Sequence, residues 1–337
     1  MSINISVLIP SGEIRDMFIT PAVKQAFMAL GNLRLNDGLD YEKESIKGLL
    51  KDCHVCITGW GCPTLDESLL ESAQNLRLIA HTGAAVAGIV SDYVYDKGIK
   101  VISGNEPFAE SVAEGTLAYM LSALRRIPFY SRMVEDGSWR TASCQNKGIL
   151  DKKIGLIGFG AIPRYLVPML KPFRVEIHGY DPFVSSSVLH EHGVKPCGSL
   201  EALFSECDIV SNHLPLTKDT FHIINAELLN RMKKGTLFVN TARGSTVDEA
   251  ALGKIVQSGH IDAVLDVYEK EPLPATSKLR GLDNVILMPH MGGPTLDRYE
   301  MVSLGLAKEI RRMINNEPLL WEISKDYAFK MTNDKLM

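Results

Sequence analysis

Three polar side chains that could bind an acid and move a proton follow three predicted strands late in the sequence. Arg243 comes shortly after a strand predicted at 237–240, Glu271 follows the run 265–270, and His290 follows Pro289. A guanidinium can hold a carboxylate through two parallel hydrogen bonds, and an imidazole exchanges a proton near neutral pH. Taken singly, each residue also has a purely structural interpretation, as a surface ion pair, a solvated loop acid or a hydrogen-bonded core histidine. Because all three follow strands, we expect them to form one site.

A glycine-containing turn between a predicted strand and a predicted helix indicates a dinucleotide site. The strand 154–157 leads into Gly158-Phe159-Gly160, and a helical pattern follows from Pro163 to Leu170. Glycine allows a ligand to approach the backbone, and the free N–H groups at a helix start favour a pyrophosphate. The next predicted strand, 175–180, ends at Asp181, about where such a unit places an acid on the ribose hydroxyls. An ordinary strand–turn–helix is the alternative.

Strands and helices alternate along most of the chain, which predicts an α/β protein with ligands at the carboxyl ends of its strands. The length of 337 residues favours two domains. The clearest helix is predicted from Ser111 to Ile127, with Pro128 as its stop. Ser199 and Asp248 are predicted to cap two later helices, and Gly259 to end the second of them.

Composition excludes several classes of function. The net charge of −4 argues against nucleic acid as a partner. No apolar run is long enough to cross a bilayer, and the start at Met1-Ser2-Ile3-Asn4 lacks the basic region of a secretory signal. We therefore expect a cytoplasmic protein.

The six cysteines are expected to be free thiols. Cys53 and Cys56 have the C-x-x-C spacing of a metal or redox site. They lie in a predicted strand, however, where residues three apart point to opposite faces, and no second such pair follows. We therefore predict no metal site.

Several separated segments, in order, resemble the NAD-dependent D-isomer-specific 2-hydroxyacid dehydrogenases. The matching segments are His81-Thr82-Gly83-Ala84-Ala85, Ser111-Val112-Ala113-Glu114, the Gly158 turn, Leu214-Pro215-Leu216-Thr217, Asn240-Thr241-Ala242-Arg243-Gly244, Leu265-Asp266-Val267-Tyr268-Glu269-Lys270-Glu271-Pro272 and Pro289-His290. This resemblance extends from about Leu76 to Pro294. It implies two open doubly wound parallel sheets, one in a flavodoxin-like substrate domain and one in a Rossmann NAD-binding domain.

The resemblance implies a role for each of the three polar residues. Arg243 matches the residue that binds the substrate carboxylate and polarises the neighbouring carbonyl. His290 matches the acid–base, and Glu271 matches the acid that orients its imidazole. The hydride passes directly between substrate and nicotinamide, so the reaction needs no metal.

The remaining site residues also come from the resemblance. Backbone N–H groups of Gly83, Ala84 and Ala85 are expected to help hold the substrate carboxylate. Asp181 should favour NAD because it repels the 2′-phosphate of NADP. The residues expected to bind the cofactor are Gly158, Gly160, Ala161, Ile162, Asp181, His213, Leu214, Pro215, Thr241, Ala242, Asp266 and His290.

Two departures from the family pattern affect these expectations. Pro163 stands where the third glycine of the turn is usual, which predicts a small local shift. Ala87-Gly88 stands where relatives usually carry Asp-Asn, so the hydrogen bonds of that loop and the pocket for the substrate side chain do not transfer. Trp60 either lines the cleft or packs in the core.

The resemblance also predicts the organisation of the chain. Residues 1–103 and 291–337 are expected to form a discontinuous substrate domain, and residues 104–290 the NAD-binding domain, in a homodimer. A formate dehydrogenase is a less favoured enzyme interpretation, since that branch has an amide in place of Glu271. An NAD-sensing scaffold, like the corepressors built on this fold, is the alternative from another class of protein.

Overall fold

The computed structural model describes residues 3–333, which fold around two parallel β-sheets. The first sheet contains β1 (Ile3–Val7), β2 (Gly31–Leu35), β3 (Val55–Thr58), β4 (Leu78–His81) and β5 (Lys100–Ser103). The second contains β6 (Lys153–Ile157), β7 (Glu176–Tyr180), β8 (Lys195–Pro196), β9 (Ile209–Asn212), β10 (Leu237–Asn240), β11 (Asp262–Leu265) and β12 (Val285–Leu287).

The strand orders confirm the predicted fold class. The first sheet has the order β2-β1-β3-β4-β5, which is the flavodoxin-like order. The second has the order β12-β11-β10-β9-β6-β7-β8, which contains the doubly wound dinucleotide-binding order with a seventh strand added. Within the described residues, every neighbouring pair of strands in both sheets is parallel. The order of the second sheet reverses between β6 and β9, and a ligand is expected outside the strand ends at that point.

Fourteen α-helices in the described residues accompany the strands. They are α1 (Glu13–Phe18), α2 (Pro21–Met28), α3 (Lys43–Leu50), α4 (Glu67–Leu70), α5 (Asp92–Asp96), α6 (Asn105–Leu124), α7 (Ile127–Glu135), α8 (Ala161–Leu170), α9 (Ser186–Glu191), α10 (Leu200–Glu206), α11 (Ala226–Arg231), α12 (Glu249–Gln257), α13 (Tyr299–Ile314) and α14 (Lys325–Ala328). None of these helices is long and apolar enough to cross a membrane. The predicted caps are confirmed, because Ser199 accepts a hydrogen bond from the N–H of Ala202 and Asp248 from that of Ala251.

The chain divides into two compact units. The second unit is Glu110–Gly293, and the first comprises everything up to Ala109 together with everything from Pro294 onward. The family resemblance placed the two boundaries between the units at 103/104 and 290/291. What each unit binds stays a prediction at this point.

Each sheet carries one hydrophobic core on each face. Alternate strand residues point to opposite sides, so Ile57 enters one core of the first unit and Cys56 the other. In the second unit Phe238 and Val239 divide in the same way. Burial on both faces explains why the strands are short, nearly continuous apolar runs.

The prediction for the long helix was wrong at both ends. Helix α6 begins at Asn105 and ends at Leu124, and Arg126 then adopts a left-handed conformation with φ of 53°. Pro128 lies in the first turn of the next helix, α7, so it starts a helix instead of stopping one. Proline is tolerated there because the N–H that it lacks would have no partner within the helix.

Candidate active site

His290 and Glu271, two of the predicted catalytic residues, are in direct polar contact. The Nδ1 atom of His290 lies 2.7 Å from Oε2 of Glu271, and both side chains are partly exposed. His290 follows β12, whereas Glu271 belongs to the segment after β11. The backbone of His290 is left-handed, with φ of 56°, and its N–H donates to the carbonyl of Asp266 at 2.9 Å. A histidine in this conformation is uncommon and is held by its surroundings.

Tyr268 positions Glu271 and was given no role by the sequence analysis. Its N–H donates to Oε1 of Glu271 at 3.0 Å. Its hydroxyl lies 2.8 Å from the carbonyl oxygen of Met288 and 3.0 Å from that of Leu265, so its one proton is shared between the ends of β11 and β12. Burial, followed by the charge of Asp266, raises the pKa of Tyr268 to about 12, so the hydroxyl stays a donor. In the sequence, the feature that could have indicated this role is the tyrosine hydroxyl within the segment 265–272.

Asp266 shapes the segment that follows His290. The carboxylate is buried, and its two oxygens accept the N–H groups of Met291 at 2.8 Å and Gly292 at 2.7 Å. The hydroxyl of Tyr119 also donates to it, at 3.4 Å. Burial and the neighbouring Asp266 raise the pKa of Tyr119. The place of Asp266 beside the nicotinamide stays a prediction.

Arg243 leaves the end of β10 in a turn held by polar side chains. The amide of Asn240 accepts the N–H of Ala242 and donates to the carbonyl of Arg243, both at 3.1 Å. The hydroxyl of Thr246 donates to that same carbonyl at 2.7 Å. The Arg243 guanidinium donates through Nη1 to the carbonyl of Ala242 at 2.8 Å. These bonds fix the backbone from which the guanidinium projects.

Gly244 brings the Arg243 turn against the segment that carries Glu271. A Cβ atom at position 244 would lie 1.8 Å from the carbonyl carbon of Tyr268 and 2.4 Å from the nitrogen of Glu269. Only glycine allows two backbones to approach this closely. Direct backbone contact therefore connects the turn of Arg243 to the loop that orients His290.

The glycine turn after β6 is held by a left-handed glycine and by a carboxylate. Gly158 has φ of 83°, and a Cβ atom there would lie 3.1 Å from the carbonyl oxygen of His213. Asp181, just past β7, accepts the N–H of Phe159 at 2.8 Å through Oδ2 and that of Phe183 at 2.8 Å through Oδ1. The turn and the acid expected to bind the ribose are thus in direct contact.

Helix α8 begins two residues earlier than the sequence predicted. Gly160 precedes it without a side-chain cap, and Ala161 and Ile162 form its first residues. The N–H groups of a first helical turn have no partner within the helix, so they can bind an anion. Pro163, the third residue, is buried and fits the helix without breaking it.

The ends of β9 and β10 contribute the remaining predicted cofactor residues. His213 is buried; its Nε2 lies 2.9 Å from the hydroxyl of Ser211, and its Nδ1 has no partner in the described part of the chain. Burial lowers the pKa of His213 to about 3, so the ring is neutral. Leu214 and Pro215 follow it, and the hydroxyl of Thr241 lies 3.0 Å from that of Thr116. An orphaned buried nitrogen, a positive-φ glycine and a free helix start fit a dinucleotide.

In the first unit, Gly83, Ala84 and Ala85 form a bend directly after β4. Within residues 3–333, no acceptor takes the backbone N–H of any of these three residues. The carbonyl of Gly83 accepts the N–H of Gly104, which fixes the bend from its other side. Consecutive unpaired N–H groups form a concave site for an anion.

Ala87-Gly88 is accommodated without the hydrogen bonds of an acid and an amide. Ala87 is buried in the core, and the carbonyl of Gly88 accepts the hydroxyl of Thr64 at 3.0 Å. The N–H of Leu65 donates to the carbonyl of Ile89 at 2.8 Å. The neighbouring segment therefore supports this loop.

Residues 117–292 match the model of the D-isomer specific 2-hydroxyacid dehydrogenase family, NAD binding domain. The matched region includes almost all of the second unit, with Arg243, Glu271 and His290 inside it. The chain belongs to the D-isomer specific 2-hydroxyacid dehydrogenase family. This confirms the predicted family and a nicotinamide cofactor for the Rossmann sheet.

Two curated members of the family are similar over most of this chain. A hydroxypyruvate reductase of Thermotoga maritima is 36% identical over 273 residues, which cover 80% of this chain and 87% of that protein. A D-3-phosphoglycerate dehydrogenase of Methanocaldococcus jannaschii is 33% identical over 289 residues, 86% of this chain and 54% of that protein. The chain thus spans about half the length of the phosphoglycerate dehydrogenases it matches.

Solved structures share the fold over nearly the whole chain. A phosphoglycerate oxidoreductase from Rhizobium etli has a TM-score of 0.81 at 24% identity, covering 96% of this chain and 99% of that one. The D-lactate dehydrogenase of Escherichia coli has a TM-score of 0.73 at 24% identity, covering 96% of this chain and 100% of that one. At these identities the likeness concerns the fold alone.

Proposed function

We propose that this protein is an NAD-dependent oxidoreductase that interconverts a D-2-hydroxy acid and the corresponding 2-keto acid. The main support is the 2.7 Å contact between Nδ1 of His290 and Oε2 of Glu271. Both residues follow strands of the second sheet, within the region that matches the NAD-binding domain of the family. The curated relatives are named as a dehydrogenase and a reductase of such acids.

In this proposal, His290 exchanges a proton with the oxygen on C2 of the substrate. Its Nδ1–H donates to Glu271, which leaves Nε2 to give or take the proton. The bond to the Glu271 carboxylate fixes the orientation of the ring. Tyr268 and Asp266 act as positioning residues through their bonds to Glu271 and to the backbone of His290.

Arg243 binds the substrate carboxylate in this proposal. The planar guanidinium matches the two oxygens of a carboxylate, and its charge stabilises the negative charge that develops on the carbonyl oxygen. The unpaired N–H groups of Gly83, Ala84 and Ala85 bind the same carboxylate, as the family resemblance implies. Each group holds or polarises the substrate and needs no change of its own protonation.

The Gly158 turn, the start of α8 and Asp181 would hold NAD by its pyrophosphate and adenosine ribose. His213, Leu214, Pro215, Thr241, Ala242 and Asp266 would line the remainder of the cofactor. A bound nicotinamide would supply or accept the hydride. The preference for NAD depends on the charge of Asp181, which opposes a 2′-phosphate.

A scan of NADH oxidation against a panel of 2-keto acids tests the proposal. We expect turnover of at least one acid by the wild type, and its loss in His290→Ala. The matched control is His190→Ala, because His190 is an exposed histidine of the same unit. Binding of NADH without turnover of any acid would contradict the proposal and would instead support an NAD-sensing scaffold.

We also propose that the protein acts as a homodimer that forms through its second unit, as the resemblance implies. A cytoplasmic location stays a prediction from the sequence.

A further inference from the structure

Trp60 belongs to a cluster of four aromatic side chains in the first unit. It follows β3 and packs edge-on against Phe18, Phe108 and Tyr299, with ring centroids 5.3, 6.1 and 6.2 Å away. Phe18 and Phe108 are buried, whereas Trp60 remains 41% exposed. One side of the indole is thus supported by the core and the other is available to a ligand. Contacts of this kind hold a ring rigidly at small entropic cost.

The backbone on both sides of Trp60 is fixed. A Cβ atom on Gly59 would lie 2.8 Å from Cγ1 of Ile9, so only glycine fits there. Gly61 has φ of 77°, a conformation that favours glycine. The hydroxyl of Tyr41 donates to the carbonyl of Trp60 at 2.9 Å. These features present the indole in one place.

The edge of the indole lies beside the bend proposed to bind the substrate carboxylate. A Cβ atom on Gly83 would lie 2.9 Å from Nε1 of Trp60 and 2.6 Å from Nε2 of His81. The ring is therefore within a few ångströms of the unpaired N–H groups of that bend. An acid held by those N–H groups would therefore have the indole close to it.

Two basic side chains in this part of the first unit, His81 and Arg15, are buried. His81 is buried, its Nδ1 lies 3.0 Å from the hydroxyl of Thr58, and burial lowers its pKa to about 4, so the ring is neutral. Arg15, on the same helix as Phe18, is buried and donates to the carbonyl of Asn36 and the hydroxyl of Ser11.

Arg298 and Glu300 flank Tyr299 with opposite charges, and Glu300 accepts the hydroxyl of Thr20. The rings that face this part of the bend are apolar. An apolar substituent would gain stabilisation against them by leaving water. A phosphate would lose part of its hydration against the same rings.

We propose that Trp60 determines substrate specificity, and that the site takes 2-keto acids whose substituent on C2 is uncharged and apolar, aromatic groups included, in preference to phosphorylated ones. This inference rests on the proposed function. It gives this chain a different class of substrate from the phosphorylated acid in the names of its phosphoglycerate dehydrogenase relatives.

Steady-state kinetics with three acids test the inference. Glyoxylate has no substituent beyond its carbonyl and reports the chemistry alone, phenylpyruvate carries an aromatic substituent, and 3-phosphohydroxypyruvate carries a phosphate. We expect the wild type to reduce phenylpyruvate with a higher kcat/KM than the phosphorylated acid. Trp60→Ala should lower kcat/KM for phenylpyruvate at least about ten-fold, mainly through KM, and leave that for glyoxylate within about two-fold. Trp60→Phe should restore most of the loss.

The matched control is Phe329→Ala, an aromatic residue of the same unit with a similar exposure of 44%, which packs on Tyr95 away from the cluster. It should leave all three substrates unchanged. Equal loss on glyoxylate and phenylpyruvate in Trp60→Ala, or a wild-type preference for the phosphorylated acid, would overturn the inference while the proposed function stands. Failure of the wild type to reduce any acid would overturn both.

Discussion

At the scale of single residues, His290 is held from two directions. Its ring bonds to Glu271, and its backbone N–H bonds to the carbonyl of Asp266. Glu271 is held in turn by the N–H of Tyr268. The sequence predicted Glu271 and His290 as partners because of the family motif. It could not predict Tyr268 in this role, because a backbone donor has no signature in the side-chain types.

Replacement of Glu271 by glutamine tests the orienting bond. The amide keeps the size and can still bond to the ring, but it carries no negative charge. We expect kcat for keto-acid reduction to fall about ten-fold or more. The measurement is kcat beside that of Glu227→Gln, an exposed glutamate on α11. An unchanged kcat would remove the role assigned to Glu271.

Replacement of Asp181 by asparagine tests the basis of cofactor choice. Asparagine can still accept the N–H of Phe159, so the glycine turn should be retained while the charge is removed. We expect the ratio of kcat/KM for NADH over NADPH to fall about ten-fold or more. Equal or better turnover with NADPH in the wild type would contradict the predicted preference for NAD.

At the scale of elements, the buried strands were predicted best, since uninterrupted apolar runs bounded by polar residues mark them clearly. Strand β10 was predicted with the observed ends, Leu237–Asn240. The edge strand β2 was not predicted, because Asn32 and Arg34 interrupt its apolar pattern. The boundary between α6 and α7 depends on a left-handed Arg126, which the residue types do not signal.

The close approach at Gly244 gives a prediction for the turn that carries Arg243. An alanine Cβ would overlap the backbone at Tyr268, which cannot move aside as a flexible side chain would. We expect Gly244→Ala to lower the free energy of unfolding by about 1–3 kcal/mol and to reduce activity by displacing the turn. Thermal and urea unfolding measure the first effect.

The control for this variant is Gly253→Ala. Gly253 lies inside α12, and a Cβ atom there meets nothing within 4 Å. Since alanine favours a helix more than glycine, this variant should gain up to about 1 kcal/mol of stability. Wild-type stability and activity in Gly244→Ala would show that the two segments are less tightly apposed than described.

The buried histidine at the end of β4 makes stability depend on pH. Burial lowers the pKa of His81 from its ordinary value of 6.5 to about 4, so the unfolded chain binds the proton more readily. Its contribution is complete above pH 6.5 and is lost as the pH falls to about 4, by about 3 kcal/mol in all. Urea unfolding between pH 7 and pH 4.5 should show a shallower decline in His81→Gln. The exposed His190→Gln should keep the wild-type slope, and equal slopes in all three proteins would contradict the assignment.

At the scale of the whole molecule, the family resemblance predicted two parallel sheets and a discontinuous first unit. It did not predict the aromatic cluster that is proposed to set specificity. Trp60 and Phe18 are far apart in sequence and meet Tyr299 only because the chain returns to the first unit near its end. Such contacts are properties of the folded chain and leave no local pattern.

Helix α7 supplies the prediction for assembly. None of its residues is buried, and Ile127 and Val134 are 55% and 50% exposed. Both lie in the unit through which the dimer is proposed to form, and association there would remove them from water. We expect light scattering to give a dimer for the wild type and a monomer for the double variant Ile127→Asp/Val134→Asp. Met28→Asp, an exposed apolar position in the first unit, should remain dimeric. A monomeric wild type would rule out the homodimer.

The interrupted path of the first unit also has a consequence for synthesis on the ribosome. Helix α13 supplies Val302 and Leu306 to the same core as Phe18 and Phe27. The whole of Glu110–Gly293 is translated between these two contributions. Until α13 has been synthesised, one face of the N-terminal sheet therefore remains exposed, whereas the second sheet already has its complete sequence. We expect this exposed N-terminal segment to be the part of the nascent chain that most needs protection by chaperones.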